Sequence, residues 1–342
     1  MKHHNFDTVK LHEKLMREAA APEFEYRGQD LQQWQKELKE RLSDLLGMDA
    51  MPEKCDLNPQ TIWTKKHEYG TIEKIVFTAE PGYSVPAYVC LPKNTQPPYD
   101  FFICLQGHST GMHNSIAVAK TNEDETIEIA GDRDFGIGCM KRGIAALCIE
   151  QRGFGECEDG RRKNFLACHN PTMQALMLGR TILGERIYDV DRAIDYLLTR
   201  TDAKADRIGV MGNSGGGTVS IFAGGLLDRL SFVMPACSFS SFLDSIMSID
   251  HCCCNYVSGL LALADCAEIT ALAAPKPLVV VNGLTDPIFP IDSAKQSFTK
   301  VKEIYERFGA GENCLHVIGG EGHQFYADEA WEAMFRLIRH KN

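Results

Sequence analysis

Apolar positions follow two alternating patterns over most of the chain. Short continuous apolar runs, such as "FFICL" from residue 101 and "LVVV" from residue 278, are typical of buried strands. Longer segments between such runs carry an apolar residue at every third or fourth position, which predicts amphipathic helices. Apolar runs and predicted amphipathic helices alternate repeatedly from about residue 100 onward. This order predicts an α/β fold, with a mostly parallel central sheet and helices on both faces.

The first part of the chain has a different pattern. Leu31, Trp34, Leu38 and Leu42, followed by Leu45 or Leu46, lie on one stripe of a predicted helix that ends at Gly47. From about residue 60 the pattern changes to strands, and residues 73–80 and 83–92 predict an antiparallel edge of the sheet. Residues 171–200 indicate one long helix.

These patterns suggest how the chain is organised. We expect an N-terminal helical extension over residues 1–58 and a catalytic domain over residues 59–342, with a cap insertion at 238–272. The extension either packs on the main domain or forms a contact between copies, so a homo-oligomer through these helices is one expectation.

Charge and composition exclude several classes of function. The net charge of −10 over 342 residues argues against binding nucleic acids or anionic membranes. No apolar stretch approaches 18 residues, and the first residues lack the apolar core of a secretion signal. Thirteen cysteines, an odd number, fit free thiols better than a disulfide framework. These features predict a cytoplasmic protein.

A candidate nucleophile lies in "GNSGG", residues 212–216. The segment matches G-x-S-x-G and stands between a predicted strand and a predicted helix, as a nucleophile turn requires. Ser214 would then be exposed at a helix N-terminus, where backbone amides stabilise negative charge. A phosphate-binding loop is the alternative for such glycines, but no lysine follows them, and their spacing does not fit a dinucleotide site.

A serine hydroxyl needs a general base, and in this kind of fold the chain order is serine, acid, histidine. Four histidines follow Ser214. His323 stands in "GGEGHQF", a glycine-rich loop after the last predicted strand, and is the expected base. His251 leaves too little room for an intervening acid, His316 lies inside a strand, and His340 is three residues from the end.

The expected acid is Asp286, which follows the predicted strand at residues 278–283. Its carboxylate would orient the imidazole of His323 and stabilise the protonated ring. Asp286 could instead only form a turn before Pro287. Asp244 and Asp250 are the reserve candidates, because they follow the preceding strand.

Two backbone amides are needed to bind the oxyanion that forms during acyl transfer. The expected donors are Gly215, directly after the serine, and His108, in the loop after the strand at 101–105. Histidines at 108 and 113 could also suggest a metal, but no third ligand stands at suitable spacing. Cys252–Cys254, preceded by His251, are adjacent and would not easily converge on one ion. We therefore expect neither a metal nor an organic cofactor.

Five motifs occur in a diagnostic order: "LQGH", "EQRGFGE", "GNSGGG", "NGLTDPIFP" and "GGEGHQF". Together they resemble the α/β-hydrolase superfamily over about residues 60–342. They are most similar to the dienelactone-hydrolase and acetyl-xylan-esterase branch of bacterial serine esterases. The resemblance implies a triad of Ser214, Asp286 and His323, with Gly215 and His108 as oxyanion donors.

The resemblance also implies a substrate class. Small acyl groups, acetyl above all, esterified to a carbohydrate or another small molecule are expected. Arg152 and Glu156 of the "RGFGE" segment would brace the active-site face. Gly215 stands where some relatives carry glutamine, and Gln106 where histidine is common. A serine peptidase, another acyl hydrolase of this fold, or an inactive hydrolase-fold binding protein remain alternatives.

Overall fold

A computed structural model describes residues 6–19, 21–108, 110–160 and 167–339. His340, one alternative for the base, lies outside these residues. The strands are β1 (Gln60–His67), β2 (Gly70–Glu80), β3 (Tyr83–Pro92), β4 (Tyr99–Leu105), β5 (Val118–Ala119), β6 (Asn122–Thr126), β7 (Ala145–Ile149), β8 (Ala203–Asn213), β9 (Phe232–Ala236), β10 (Leu278–Gly283) and β11 (Cys314–Gly319). The helices are α1 (Thr8–Glu18), α2 (Leu31–Leu46), α3 (Phe135–Lys141), α4 (His169–Met177), α5 (Ile182–Thr199), α6 (Gly215–Leu226), α7 (Leu260–Leu263), α8 (Cys266–Ala271), α9 (Ile291–Arg307) and α10 (Ala327–Arg339).

Nine of the described strands form one sheet, in the order β1-β2-β3-β7-β4-β8-β9-β10-β11. The first three strands and the β3–β7 pair are antiparallel. From β7 to β11 every neighbouring pair is parallel. The predicted α/β fold, with an antiparallel edge and a mostly parallel sheet, is confirmed.

Helices cover both faces of this sheet because its parallel strands are apolar on both sides. One buried cluster joins the sheet to α2, α5, α6, α8 and α9, and includes Leu38, Ile187 and Val301. A second cluster joins it to α3 and α10 through Met140 and Met334. No helix in the described part of the chain is long and apolar enough to cross a membrane.

The single helix predicted at 171–200 is wrong, because the chain breaks it into α4 and α5. Gly179 adopts φ +73°, a left-handed conformation that glycine tolerates without a steric penalty. The Thr181 hydroxyl then caps α5 by accepting a hydrogen bond from the Gly184 amide at 2.9 Å. The apolar periodicity continues across this turn, so it could not reveal the break.

The N-terminal helices differ in how they pack. Trp34, Leu38, Leu42 and Leu46 of α2 are buried in the same core as the sheet, and Gly47 ends the helix at φ +71°. Helix α1 buries none of its residues. The division at residue 58, the cap insertion and an oligomer contact stay predictions.

The loops after β4 and β8 leave the sheet in opposite directions. The chain passes from β4 to β7 on one side, and from β8 to β9 on the other. Ligands of open α/β sheets bind at such a point, beyond the carboxyl ends of the strands. Ser214 follows β8 and His108 lies in the loop after β4, so both residues lie at this edge.

Candidate active site

Ser214 forms the turn between β8 and α6. Its backbone has φ +56° and ψ −121°, a strained conformation for a residue with a side chain. The Ser214 amide donates a hydrogen bond to the carbonyl of Ala236 at 2.9 Å, which ties the turn to the end of β9. At Gly216 an added Cβ would lie 2.1 Å from the Leu105 carbonyl oxygen, so only glycine lets the helix approach β4 this closely. The turn therefore has the strand-to-helix geometry that the sequence predicts.

Asp286 and His323 are paired at the same edge of the sheet. The His323 Nδ1 atom lies 2.7 Å from Asp286 Oδ2, and the aspartate side chain is fully buried. Two backbone hydrogen bonds join the loops that carry them: Leu284 donates to Gly319 and Thr285 to Glu321, each at 2.9 Å. The acid and the imidazole are thus held by neighbouring, mutually bonded loops.

The environment of Asp286 favours its charged form. Burial alone would raise the pKa of this carboxyl group, but the His323 imidazole and the amides of Ile288 and Phe289 outweigh burial. The pKa of Asp286 is consequently held below its usual value. The two amides donate to Oδ1 at 2.9 and 3.3 Å. Asp286 therefore forms the turn before Pro287 and also orients the histidine, so the two interpretations are compatible.

Parallel strands bring Ser214, Asp286 and His323 to one edge, since their carboxyl ends point the same way. Among the described residues the Ser214 hydroxyl makes no hydrogen bond. Of the two hydrogen bonds expected in the triad, only the one between Asp286 and His323 is therefore present. The reserve acids Asp244 and Asp250 are exposed, and Asp244 accepts a hydrogen bond from a neighbouring serine instead.

Two other histidines occupy different surroundings. His316 lies within β11, as expected, with Nε2 3.0 Å from the Asn282 side-chain oxygen. Burial lowers the pKa of His316 to about 4, so the ring is neutral at ordinary pH. His251 packs edge-on against His108, with ring centroids 5.7 Å apart.

The loop after β4 lies directly against the candidate nucleophile. A Cβ built on Gly107 would be 3.1 Å from Ser214 Cβ and 3.8 Å from its Oγ. The His108 ring packs on Gly215, where an added Cβ would lie 2.9 Å from two ring atoms. Position 215 is therefore glycine because the imidazole of residue 108 occupies the space of a side chain. Gln106 is buried and donates to Ser115 Oγ at 2.8 Å, so it braces this loop.

Arg152 and Glu156 serve separate ion pairs. Arg152 makes a two-pronged contact with Asp189, both bonds at 2.8 Å, and a further one with Glu80 at 2.6 Å. Glu156 lies 2.9 Å from His113 Nε2 and also pairs with Lys74. Through these ion pairs the two residues brace neighbouring parts of this face.

The cysteine run behaves differently from our expectation. Two of its three thiols meet further ligand groups, and these come from distant parts of the chain. Cys252 Sγ lies 2.8 Å from Cys168 Sγ, and Cys254 Sγ lies 2.9 Å from His108 Nε2. Spacing along the sequence carries no sign of this cluster, since 84 and 146 positions separate the partners.

Residues 238–272, predicted as a cap, run between β9 and β10. Their segment contacts the loop after β4 through His251 and Cys254. Apolar side chains of the same segment, among them Phe242, Ile246 and Val257, line a cavity of about 430 Å³ together with Leu176.

Comparison with known proteins identifies the family. The model of the Abhydrolase family matches residues 6–243, well over half of the chain. The chain belongs to the Abhydrolase family. The resemblance to α/β-hydrolases is thereby confirmed, and the match includes the β8–α6 turn that carries Ser214. It also includes α2, which lies before the stretch of about residues 60–342 over which the motifs occur.

Three relatives of this Abhydrolase chain are informative. A Bacillus subtilis (strain 168) protein described as "Putative hydrolase YtaP" is 25% identical over 291 residues, covering 84% of this chain and 93% of its own. The structure is similar to a "putative acetyl xylan esterase (BF1801)" from Bacteroides fragilis NCTC 9343, at 17% identity and a TM-score of 0.74, with 93% and 83% of the two chains covered. A glucuronoyl esterase from Solibacter usitatus has 15% identity and a TM-score of 0.66, covering 94% and 97%. The two structural likenesses establish the fold.

Proposed function

We propose that the protein is a serine esterase that hydrolyses carboxylic esters through an acyl-enzyme intermediate. Ser214 is the nucleophile, His323 the general base and Asp286 the acid that orients it. The backbone amides of Gly215 and His108 bind the oxyanion. The 2.7 Å contact between the buried Asp286 and His323, at the sheet edge that also carries Ser214, is the observation that carries this proposal.

The chemistry follows from the charges of these groups. The lowered pKa of Asp286 keeps its carboxylate negative, so it holds the proton of His323 on Nδ1 and leaves Nε2 as the base. That nitrogen accepts the Ser214 proton as the hydroxyl oxygen attacks the ester carbonyl. The amide of Gly215, at the first turn of α6, and the amide of His108 then bind the negative oxygen.

In the breakdown of the tetrahedral intermediate, His323 changes from a base to an acid. His323 gives the proton to the leaving alcohol, and the acyl group stays on Ser214. Water enters, loses a proton to the same imidazole and attacks the acyl-enzyme, which releases the carboxylic acid and restores the serine. The proposed steps use three side chains, two backbone amides and water.

We further propose that the substrates are small acyl esters, acetyl above all, of carbohydrates or comparable small molecules. The similarity to proteins named as acetyl xylan and glucuronoyl esterases supports this class.

A panel of nitrophenyl esters with two-, four- and eight-carbon acyl groups, acetylated xylo-oligosaccharides and a peptide anilide tests the proposal. We expect the fastest turnover on acetyl groups, little on the anilide, and turnover reduced at least about 10³-fold in Ser214→Ala. Faster cleavage of the anilide would favour a peptidase. Absence of turnover on every compound would favour the binding-protein alternative.

A further inference from the structure

A buried group of one imidazole and three thiols lies beside the candidate oxyanion loop. The ligand atoms of His108, Cys168, Cys252 and Cys254 all lie within 4.8 Å of one another. The three cysteines are buried, and His108 is partly buried. The residues come from three separate segments: the loop after β4, the residue before α4, and the segment between β9 and α7. We name these four residues the histidine–thiol cluster.

We propose that the histidine–thiol cluster binds one zinc-type divalent metal ion. Three thiolates and one imidazole are a donor set of structural zinc sites, and soft thiolate sulfur favours zinc over magnesium or calcium. Binding requires that each thiol lose its proton to solvent, so three protons leave as the ion enters.

The distances fit a tetrahedral site after small side-chain rotations. With zinc–sulfur bonds of about 2.3 Å, sulfurs on a tetrahedron lie about 3.8 Å apart. In the cluster, the Sγ atoms of Cys168 and Cys252 lie 2.8 Å apart, and His108 Nε2 lies 2.9 Å from Cys254 Sγ, so both pairs are closer than in such a site. Side-chain shifts of about 1 Å within each pair would bring the four ligand atoms to the separations of a tetrahedral site.

A buried guanidinium balances the charge that such a site would carry. Three thiolates and a divalent ion leave one negative charge, which is costly to bury alone. The charge of Arg186 faces the sulfurs of Cys254, Cys168 and Cys252. Its guanidinium is fixed because Nε and Nη2 donate to the Arg152 carbonyl at 3.0 and 2.7 Å. The cluster with its ion and Arg186 would be neutral overall.

The chain also offers a contrast within its own cysteines. Cys90, Cys104, Cys139 and Cys148 pack in the apolar cluster that includes α3, where free thiols act as small core residues. The thiols of the histidine–thiol cluster also pack among apolar side chains, but Cys254 contacts an imidazole nitrogen. Cys253 lies between two members of the histidine–thiol cluster but contacts His169 Nδ1 at 3.7 Å instead. It is therefore a matched control for its two neighbours.

The place of the histidine–thiol cluster in the fold suggests what a bound ion would do. It would tie His108, whose amide is an oxyanion donor in the proposed function, to the segment that carries Cys252 and Cys254. His108 then acts through its side chain as a positioning residue, while its amide contacts the substrate. This role rests on the proposed esterase activity, whereas metal binding itself does not.

Metal analysis of the purified chain, produced with added zinc and kept reduced, tests the proposal. We expect close to one zinc per chain in the wild type and in Cys253→Ser, and a loss of most of it in Cys168→Ser and Cys254→Ser. Wild-type protein stripped by a chelator should bind one Co²⁺, with the charge-transfer absorption of cobalt thiolates. This second measurement needs no variant to fold.

Activity provides a separate readout. Removing the metal should lower kcat about tenfold or more with a smaller change in KM, because a loosened oxyanion donor acts on the transition state. Added zinc should restore kcat. Equal metal in Cys254→Ser and wild type, wild-type protein that binds neither metal, or a Cys168–Cys252 disulfide in the intact mass would overturn the proposal. Stoichiometric metal without ester hydrolysis would instead reject only the proposed function.

Discussion

Ser214 adopts a backbone conformation that residues with side chains rarely take, and the surrounding glycines make it possible. A motif in the correct strand-to-helix context is enough to predict such a turn. The order of serine, aspartate and histidine, each after its own strand, likewise predicted the contact between Asp286 and His323, whereas the role of Ser214 stays a prediction. What no motif predicts is the imidazole of His108 packed on Gly215, because that contact depends on how two distant loops approach each other.

Asp286→Asn tests the assignment of the acid at the residue scale. An amide cannot hold the proton on Nδ1 of His323 as a carboxylate does, so we expect kcat to fall by about 10²–10⁴-fold with the fold intact. Steady-state kinetics on an acetyl ester, with circular dichroism as a check on folding, measures this. Asp244→Asn is the control and should leave kcat within about twofold of the wild type. A large loss confined to Asp244→Asn would move the acid to that residue.

Glu150 makes stability depend on pH. This side chain is buried just after β7, and burial raises its pKa to about 7 although the amides of Glu156 and Met112 donate to it. The folded state therefore binds the proton more tightly than the unfolded state. Its stabilising contribution is complete below the unfolded pKa of about 4.5 and is lost as the pH rises through about 7.

Glu150→Gln should remove this dependence. From pH 4.5 to pH 8, the free energy of unfolding of the wild type should decrease relative to that of the variant by about 1–3 kcal/mol. Urea unfolding of both proteins at several pH values gives the difference, in which all other titrating groups cancel. Parallel curves for the two proteins would contradict the raised pKa.

At the scale of elements, the loops after β10 and β11 are joined by close backbone packing. A Cβ on Gly283 would lie 1.9 Å from the Gly322 carbonyl oxygen, one residue before His323. The type and order of the elements in this region could be predicted from the apolar runs. The contact between Gly283 and Gly322 could not, because a glycine in the sequence does not show which loop will pack against it. The same limit explains the missed break at Gly179, where periodicity continues through a turn.

Gly283→Ala should therefore damage both stability and activity. The new methyl group must displace the loop that holds His323, so we expect a loss of about 1–3 kcal/mol or more in the free energy of unfolding, with a lowered kcat. Gly320→Ala is the control in the same loop, since nothing lies within 4 Å of an added Cβ there. Its effect should stay within about 0.5 kcal/mol. Equal behaviour of the two variants would show that the loops do not depend on this contact.

At the scale of the whole molecule, alternation of runs and helices predicted the fold class because parallel strands must be covered on both faces. The order of the strands could not be predicted in this way, since it depends on which strands meet in space. The histidine–thiol cluster could not be predicted either, because it joins three segments that are distant in the chain. The stripe on α2 predicted a buried face, but it could not show whether that face contacts the main domain or another copy.

Leu38→Ala measures how far α2 belongs to the core. Leu38 is fully buried in the cluster that includes the sheet, so its truncation should cost about 2–5 kcal/mol of unfolding free energy. Leu15→Ala in α1, where the side chain is 54% exposed, should change stability by less than about 0.5 kcal/mol. Chemical denaturation of both variants gives the comparison. A small effect at Leu38 would indicate that α2 is an appendage.

Covalent labelling of the nucleophile tests the central proposal most directly. The wild-type protein is treated with a fluorophosphonate, which forms a stable adduct on an activated serine, and is then analysed by intact mass and peptide mapping. We predict one adduct per chain, on the peptide that contains Ser214, no adduct in Ser214→Ala, and slower labelling in Asp286→Asn. An adduct on a different residue, or ester hydrolysis that persists unchanged in Ser214→Ala, would contradict the account.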